Sequence, residues 1–306
     1  TFDSVGEIVQ RAISTKVFPC ACIEIGRMKE TLWRGAFGHL SYDPQAAAAD
    51  HHTIFDLASL TKVIATTTLS MRHIDAGRWT LTDPIDQYVN GWRGSDREVV
   101  TIADLLAHSS GLQAHLPLFQ EQGERDAFKE KISRLPLEYT PRTMSVYSDL
   151  GFILLGFLVE DLAKESLDHQ LRNMTESCGI DDLRYLPPDS WKTRTAPTGE
   201  NSLRGRRLVG EVHDDNGWVL GGVAGHTGLF GSTPAVGRFA RIIMNDLRGS
   251  EILVSSTTLQ AFTRGTGIPN SSRALGWDTM LPTSSCGHSF SKSAIGHTGF
   301  TGTSLW

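Results

Sequence analysis

The sequence has little cysteine, no long apolar run and no excess of basic charge. Its 306 residues contain four cysteines, Cys20, Cys22, Cys178 and Cys286. Cys20 and Cys22 are too close in sequence to form a disulfide framework, and no CxxC pair occurs, so neither a stapled fold nor a zinc site is supported. They read instead as small side chains on one face of a strand. Lys and Arg number 29 against 34 Asp and Glu, a net charge of −5, and no basic cluster stands out, which argues against a nucleic-acid partner. The longest apolar run, "GFILLGFLVE", is too short for a membrane span and reads as a buried helix in a soluble protein. There is no HExxH, and the adjacent His51 and His52 face different ways on regular structure, so no metal and no cofactor is expected. No signal peptide opens the chain, and the compartment is not readable from it.

A hydrophobic share of 40% and a length of 306 residues suit one large domain or two lobes. Residues 3–15 place Val5, Ile8, Val9 and Ile13 on one helical stripe. Two strand-like runs follow, "FPCACIEIG" and "TLWRGAFGHL". A helix begins near Leu60 and carries Val63, Ile64, Met71 and Ile74, with Gly77 as its stop. In "TIADLLAHSSGL", Thr101 and Asp104 form a capping box, and Gly111 is expected to end that helix. "STPAVGRFARIIMNDLRG" has Pro234 in its first turn and Gly249 after its end. The terminal "IGHTGFTGTSLW" reads as turn, then strand. Strands at both ends with helices between them predict an α/β (α+β) protein. Residues 1–60 and 205–306 would form an α/β lobe, and residues 61–204 an inserted helical lobe.

Ser59-Leu60-Thr61-Lys62 carries the strongest chemical signal. On a helix these positions share a face, so hydroxyl and ammonium meet. A serine needs a base, and a lysine serves only if its pKa, about 10.4 when free, is lowered by burial or nearby positive charge. A second S-x-x-K, Ser289 to Lys292, lies in a polar stretch with no apolar helix behind it. Two tyrosines compete as proton shuttle. Tyr88-Val89-Asn90 lies in a surface turn, whereas Tyr147-Ser148-Asp149 opens the buried helix and is preferred. The letters GHTG occur at 225–228 and at 296–299. At the second copy, Gly299 lets a substrate lie along a strand edge, and His297 or Thr298 would hold a carboxylate or polar group. The first copy is expected to be a structural loop in which His226 satisfies polar neighbours.

In this order and with these flanks, "FDLASLTK", "LTDPIDQYV", "TIADLLAHSSGL", "VYSDLGF" and "GHTGFTGTSLW" resemble the serine β-lactamase and penicillin-binding-protein superfamily. The resemblance covers nearly the whole chain. It is to the class C β-lactamase-related branch, with its DD-peptidases, family VIII carboxylesterases and D-aminopeptidases. The stretch from "APTGENSLRG" to "GHTGLFGST" resembles penicillin-binding-protein-4B-like members.

The resemblance implies an antiparallel sheet flanked by helices, with an inserted all-helical lobe. Ser59 would be the acylated nucleophile, Lys62 and Tyr147 would share the proton transfers, and the backbone N–H groups of Ser59 and Phe300 would bind the oxyanion. Asp149 stands where asparagine is usual; at that position it would either contact a substrate amide or pair with Lys62 instead. Arg142 stands where glycine is usual. His297 takes the place of a lysine that attracts carboxylates. Being mostly neutral at pH 7, it leans the expectation towards esters, amides or weak lactamase activity. Family members continue past this strand with a hairpin and a helix beside the N-terminal one, so the expected fold lacks that C-terminal pair.

The expectation is therefore a bacterial serine hydrolase whose small-molecule substrate is an ester, a β-lactam or a D-amino-acid peptide. A non-catalytic or only stoichiometrically acylated penicillin-recognising domain is the alternative.

Overall fold

The computed structural model describes residues 2–120, 124–281 and 284–306. Helix α1 (Asp3–Ser14) precedes a hairpin of β1 (Cys20–Gly26) and β2 (Thr31–Gly38). Its antiparallel register runs from Cys20 opposite Gly38 to Gly26 opposite Thr31. All four cysteines are free thiols.

Strand β3 (Ile54–Asp56) leads through a tight turn into a π-helical stretch, Lys62–Thr67, which continues as α2 (Thr68–Asp75). Every residue of the π stretch is buried. The expected α-helix is thus widened where Ser59 and Lys62 meet, a form common at functional sites. Helix α3 (Ile102–Leu106) has the expected capping box. It stops at Leu106 rather than at Gly111: the chain turns at His108, whose φ is +56°. Gly111 serves the next turn instead, where a Cβ would stand 2.6 Å from the Tyr139 carbonyl.

Next come α4 (Arg125–Arg134), α5 (Asp149–Ala163) and α6 (Leu167–Ser177). Residues Leu150 to Val159 of α5 are all buried, which is why that helix is apolar on every side. Each such large side chain contributes roughly 1.5–3 kcal/mol over leaving it in water. Four short elements follow: β4 (Leu183–Tyr185), β5 (Gly199–Asn201), β6 (Arg206–Leu208) and α7 (Asp215–Val219). The chain closes with β7 (Leu229–Ser232), α8 (Thr233–Asp246), α9 (Ser256–Thr263), β8 (Asp278–Thr279), β9 (Ile295–Thr298) and β10 (Ser304–Leu305). Pro234 lies in the first turn of α8, and Gly249 follows its end at φ +94°.

The ladders between these strands are antiparallel, and an isolated bridge between Ile54 and Thr195 is parallel. β7 lies between β3 and β4, β9 lies between β8 and β10, and β5 pairs with β6. The mixed helix and antiparallel-sheet architecture is the expected one. The terminal segment is strand, turn and strand, not turn then strand, because the first three residues of the second GHTG already lie in β9. The largest buried cluster runs from Leu57 and Leu60 through α2, α3, α5 and α6 to α8 and Trp277, so the turn that carries Ser59 is anchored in the main core. Among the described residues no helix is long and apolar enough to cross a membrane.

Candidate active site

Ser59 sits at the end of β3 in a turn fixed by a buried carboxylate. Asp56 accepts N–H bonds from Ala58 (2.8 Å) and His213 (2.7 Å). Burial pushes its pKa up to about 6 despite those two bonds. Ala58, held this way, has a left-handed φ of +45°, a strained conformation for alanine that lifts the next residue into the cleft. The loop after β9 staples the same turn. Thr301 Oγ1 donates to the Asp56 carbonyl at 2.6 Å, and Thr303 Oγ1 to the Leu57 carbonyl at 3.1 Å. Gly299 permits this approach, since a Cβ there would lie 2.6 Å from the Leu57 carbonyl.

The cleft measures about 700 Å³ and is lined by Ser59, Tyr147, Asp149, Arg273, Thr298 and Phe300, among others. Beneath it lies Lys62, with no exposed surface. Its ammonium donates to Ser59 Oγ (3.1 Å), Asp149 Oδ1 (2.7 Å) and the His226 carbonyl (3.1 Å). It also stands 4.8 Å from the Tyr147 ring centre. Ser59, Lys62 and Tyr147 thus come together, while Tyr88 is taken up by Asp83 and the second S-x-x-K lies in exposed chain.

The expected lowering of the lysine pKa does not occur. Burial acts in that direction, but the charge of Asp149, with contributions from Tyr147, outweighs it and leaves Lys62 above its ordinary value. Asp149, at the start of α5, is held well below the usual carboxylate range: burial would raise it, and Lys62, His115 and His226 more than offset that. His115, at the cleft mouth with Nδ1 3.7 Å from Asp149, is raised, chiefly by its interaction with that carboxylate.

His297 is only 3% exposed. Burial, then Lys62 and Arg273, lower its pKa to about 3. Its Nδ1–H donates to the Thr298 carbonyl at 2.7 Å, so the proton is fixed there and Nε2 keeps a lone pair. The ring is a neutral group that offers no positive charge to a carboxylate. Thr298 is exposed on the cleft wall, and Phe300, 85% exposed, stacks on His213 at its rim. Among the described residues, the amides of Ser59 and Phe300 donate to no other group.

Sequence reasoning missed several residues here. Asp56 stands inside the quoted nucleophile stretch, three residues before Ser59, but nothing local marks it as a turn anchor. The first GHTG, expected to be structural, also borders the site. The His226 carbonyl receives Lys62, and its Nε2 lies 2.9 Å from Asp214, which burial would raise but which this ring and the Gly217 amide hold at about 2. Arg273 spreads over the Tyr147 ring at 5.1 Å, and among the described residues its guanidinium makes no hydrogen bond or ion pair. Arg142 has a φ of +69°, the conformation that favours glycine at that place. It compensates with a two-pronged bond to buried Asp104. Among the described residues no group of three or more His, Cys, Asp or Glu is placed to hold a metal.

The family model described as "Beta-lactamase" matches residues 7–306. The chain is 29% identical to a "Putative D-alanyl-D-alanine carboxypeptidase" of Escherichia coli, over 96% of this chain and 77% of that protein. It is 27% identical to an "N-acetylmuramyl-L-alanine amidase" of Bacillus subtilis, over 98% and 76%. Among solved structures, "EstCE1, a hydrolase with promiscuous acyltransferase activity" superposes with a TM-score of 0.78 at 16% identity, covering 99% of this chain and 88% of that one.

Proposed function

The chain belongs to the beta-lactamase family and is a serine hydrolase of that class, and on this premise we propose that it works through an acyl-enzyme on Ser59. The observation that carries the reading is the 3.1 Å contact between Ser59 Oγ and Lys62 Nζ on the floor of an open cleft. Ser59 Oγ attacks the scissile carbonyl. Lys62, held as an ammonium by Asp149, orients the hydroxyl and supplies positive charge, and Tyr147, reacting as a phenolate beside the Lys62 and Arg273 cations, takes the proton and returns it to the leaving group. The free amides of Ser59 and Phe300 receive the developing oxyanion. Water then releases the acyl group.

The substrate carries a carboxylate close to the scissile bond, as D-alanyl peptides and β-lactams do. His297 is neutral and Lys62 is paired, so Arg273 is the cation that meets it. A neutral ester is the second reading, favoured by that same uncharged His297.

Intact mass spectrometry after incubation with labelled penicillin and with a p-nitrophenyl ester tests the first claim. One adduct on Ser59, absent in Ser59→Ala, is expected; no adduct from either reagent, or an adduct on another serine, refutes it. Adduct without turnover would identify a penicillin-recognising domain. Arg273→Gln tests the second claim. It should lower kcat/KM for a D-Ala-D-Ala peptide about 10- to 100-fold and leave the ester within about threefold. Equal losses on both substrates would favour the ester reading.

A further inference from the structure

Tyr147 belongs to no helix or strand: residues 144–148 are irregular chain ahead of α5. A side chain that handles protons must nevertheless stand within a fraction of an ångström of its target. The amides on either side of it lead to a single residue. The Val146 N–H donates to the His108 carbonyl at 2.9 Å, and the Ser148 N–H donates to His108 Nδ1 at 3.0 Å. The same carbonyl accepts the Tyr139 hydroxyl at 3.0 Å. The imidazole, 1% exposed, lies 4.7 Å from the Tyr147 ring and 4.9 Å from Phe152.

Three features mark this as a built clamp. His108 holds a left-handed φ of +56°, and that turn is what brings its carbonyl and its ring to bear on residues 146 and 148. Accepting a backbone N–H at Nδ1 requires the neutral tautomer with the proton on Nε2. Burial, with Arg273 and Lys62 nearby, holds the ring's pKa well below its ordinary value, so that tautomer persists. Neighbouring bonds extend the grip: Ser145 Oγ donates to the Ala107 carbonyl, and the Arg142 N–H to that of Ser109.

We propose that His108 is the positioning residue of the site, fixing the Tyr147 phenol by holding both flanking amides and backing its ring. The inference rests on the proposed proton-transfer role of Tyr147. His108 acts through Tyr147 and touches no substrate.

The test is a double-mutant cycle on acylation by a p-nitrophenyl ester, with kcat, KM and thermal unfolding measured for each variant. His108→Asn keeps an acceptor at the position of Nδ1 and tolerates a left-handed φ; His108→Leu keeps bulk without an acceptor. His108→Leu should slow acylation about 100-fold with KM within about threefold, and His108→Asn should stay within about tenfold of the unaltered protein. In a Tyr147→Phe background, His108→Leu should change the rate by less than about threefold.

An undiminished effect of His108→Leu in that background overturns the inference, as does His108→Asn failing as badly as His108→Leu while folding normally. If Tyr147→Phe alone leaves acylation unchanged, the role of Tyr147 falls and the inference falls with it. That failure is distinguishable, because it shows in the single variant.

Discussion

The letters GHTG are folded twice in this molecule, and the two copies differ in almost every bond. In the copy at 225–228, Gly225 is pressed against α5: a Cβ there would stand 2.1 Å from the Phe152 carbonyl and 2.8 Å from Gly156. Its carbonyl takes the Thr66 hydroxyl at 2.6 Å, and that of His226 takes Lys62. The His226 ring turns to Asp214. In the copy at 296–299 the chain is extended as β9, facing β8 and β10. The His297 ring bonds to its own neighbour's carbonyl, and Gly299 meets the turn that carries Ser59. The first copy supports Lys62 from below with main-chain oxygen. The second lines the wall of the cleft. Short glycine-rich strings take their conformation from what surrounds them, since glycine itself prefers none.

Acid is the strongest probe of this difference. His297 has a folded-state pKa of about 3, depressed from an ordinary 6.5. The stability it contributes is therefore present above about pH 6.5 and is lost as pH falls from there through about 3, amounting to about 4–5 kcal/mol over that window. Urea unfolding at stepped pH should show that loss, and His297→Gln should remove it. An identical acid limb in the variant would mean that burial of this imidazole does not set the second copy apart.

Paired glycine substitutions come next. Gly225→Ala drives a methyl group into the backbone of α5 and should destabilise by about 3 kcal/mol, read as a fall in Tm. Gly299→Ala meets the Leu57 carbonyl beside Ser59, so its main effect should be a fall in acylation of about 100-fold, with the smaller change in Tm. Were both variants to lose stability and activity in the same proportion, the division into support and wall would be wrong. The smallest expected effect is on specificity. His297→Lys should raise acylation by penicillins relative to a neutral ester by about tenfold, and an unchanged ratio would show that this residue does not choose substrates.

The elements that were easiest to read from sequence are those governed by periodicity and local signals. The α1 stripe, the apolar α5, the Thr101–Asp104 box and the Pro234 and Gly249 punctuation of α8 are set by neighbours within a few residues. The end of α3 was misread because His108 takes a left-handed turn that a glycine would normally supply, in answer to bonds with residues 146 and 148. The site divides the same way. Ser59 and Lys62 are singled out by the ordered set of motifs in which their spacing occurs, but the charge state of Lys62 is not, since it depends on a carboxylate 87 positions away at 2.7 Å.

The amino-acid sequence alone determined the antiparallel α+β architecture, the family and the candidate nucleophile, because hydrophobic period, caps and ordered motifs are properties of short stretches. Only the tertiary structure decided that Lys62 is held as an ammonium, that burial pushes the His297 pKa down to about 3, that the Arg273 guanidinium, over the Tyr147 ring, makes no hydrogen bond or ion pair among the described residues, and that His108 grips Tyr147. Burial and Coulomb interactions act through space, and the distances that govern them exist only once residues remote in the chain have been brought together.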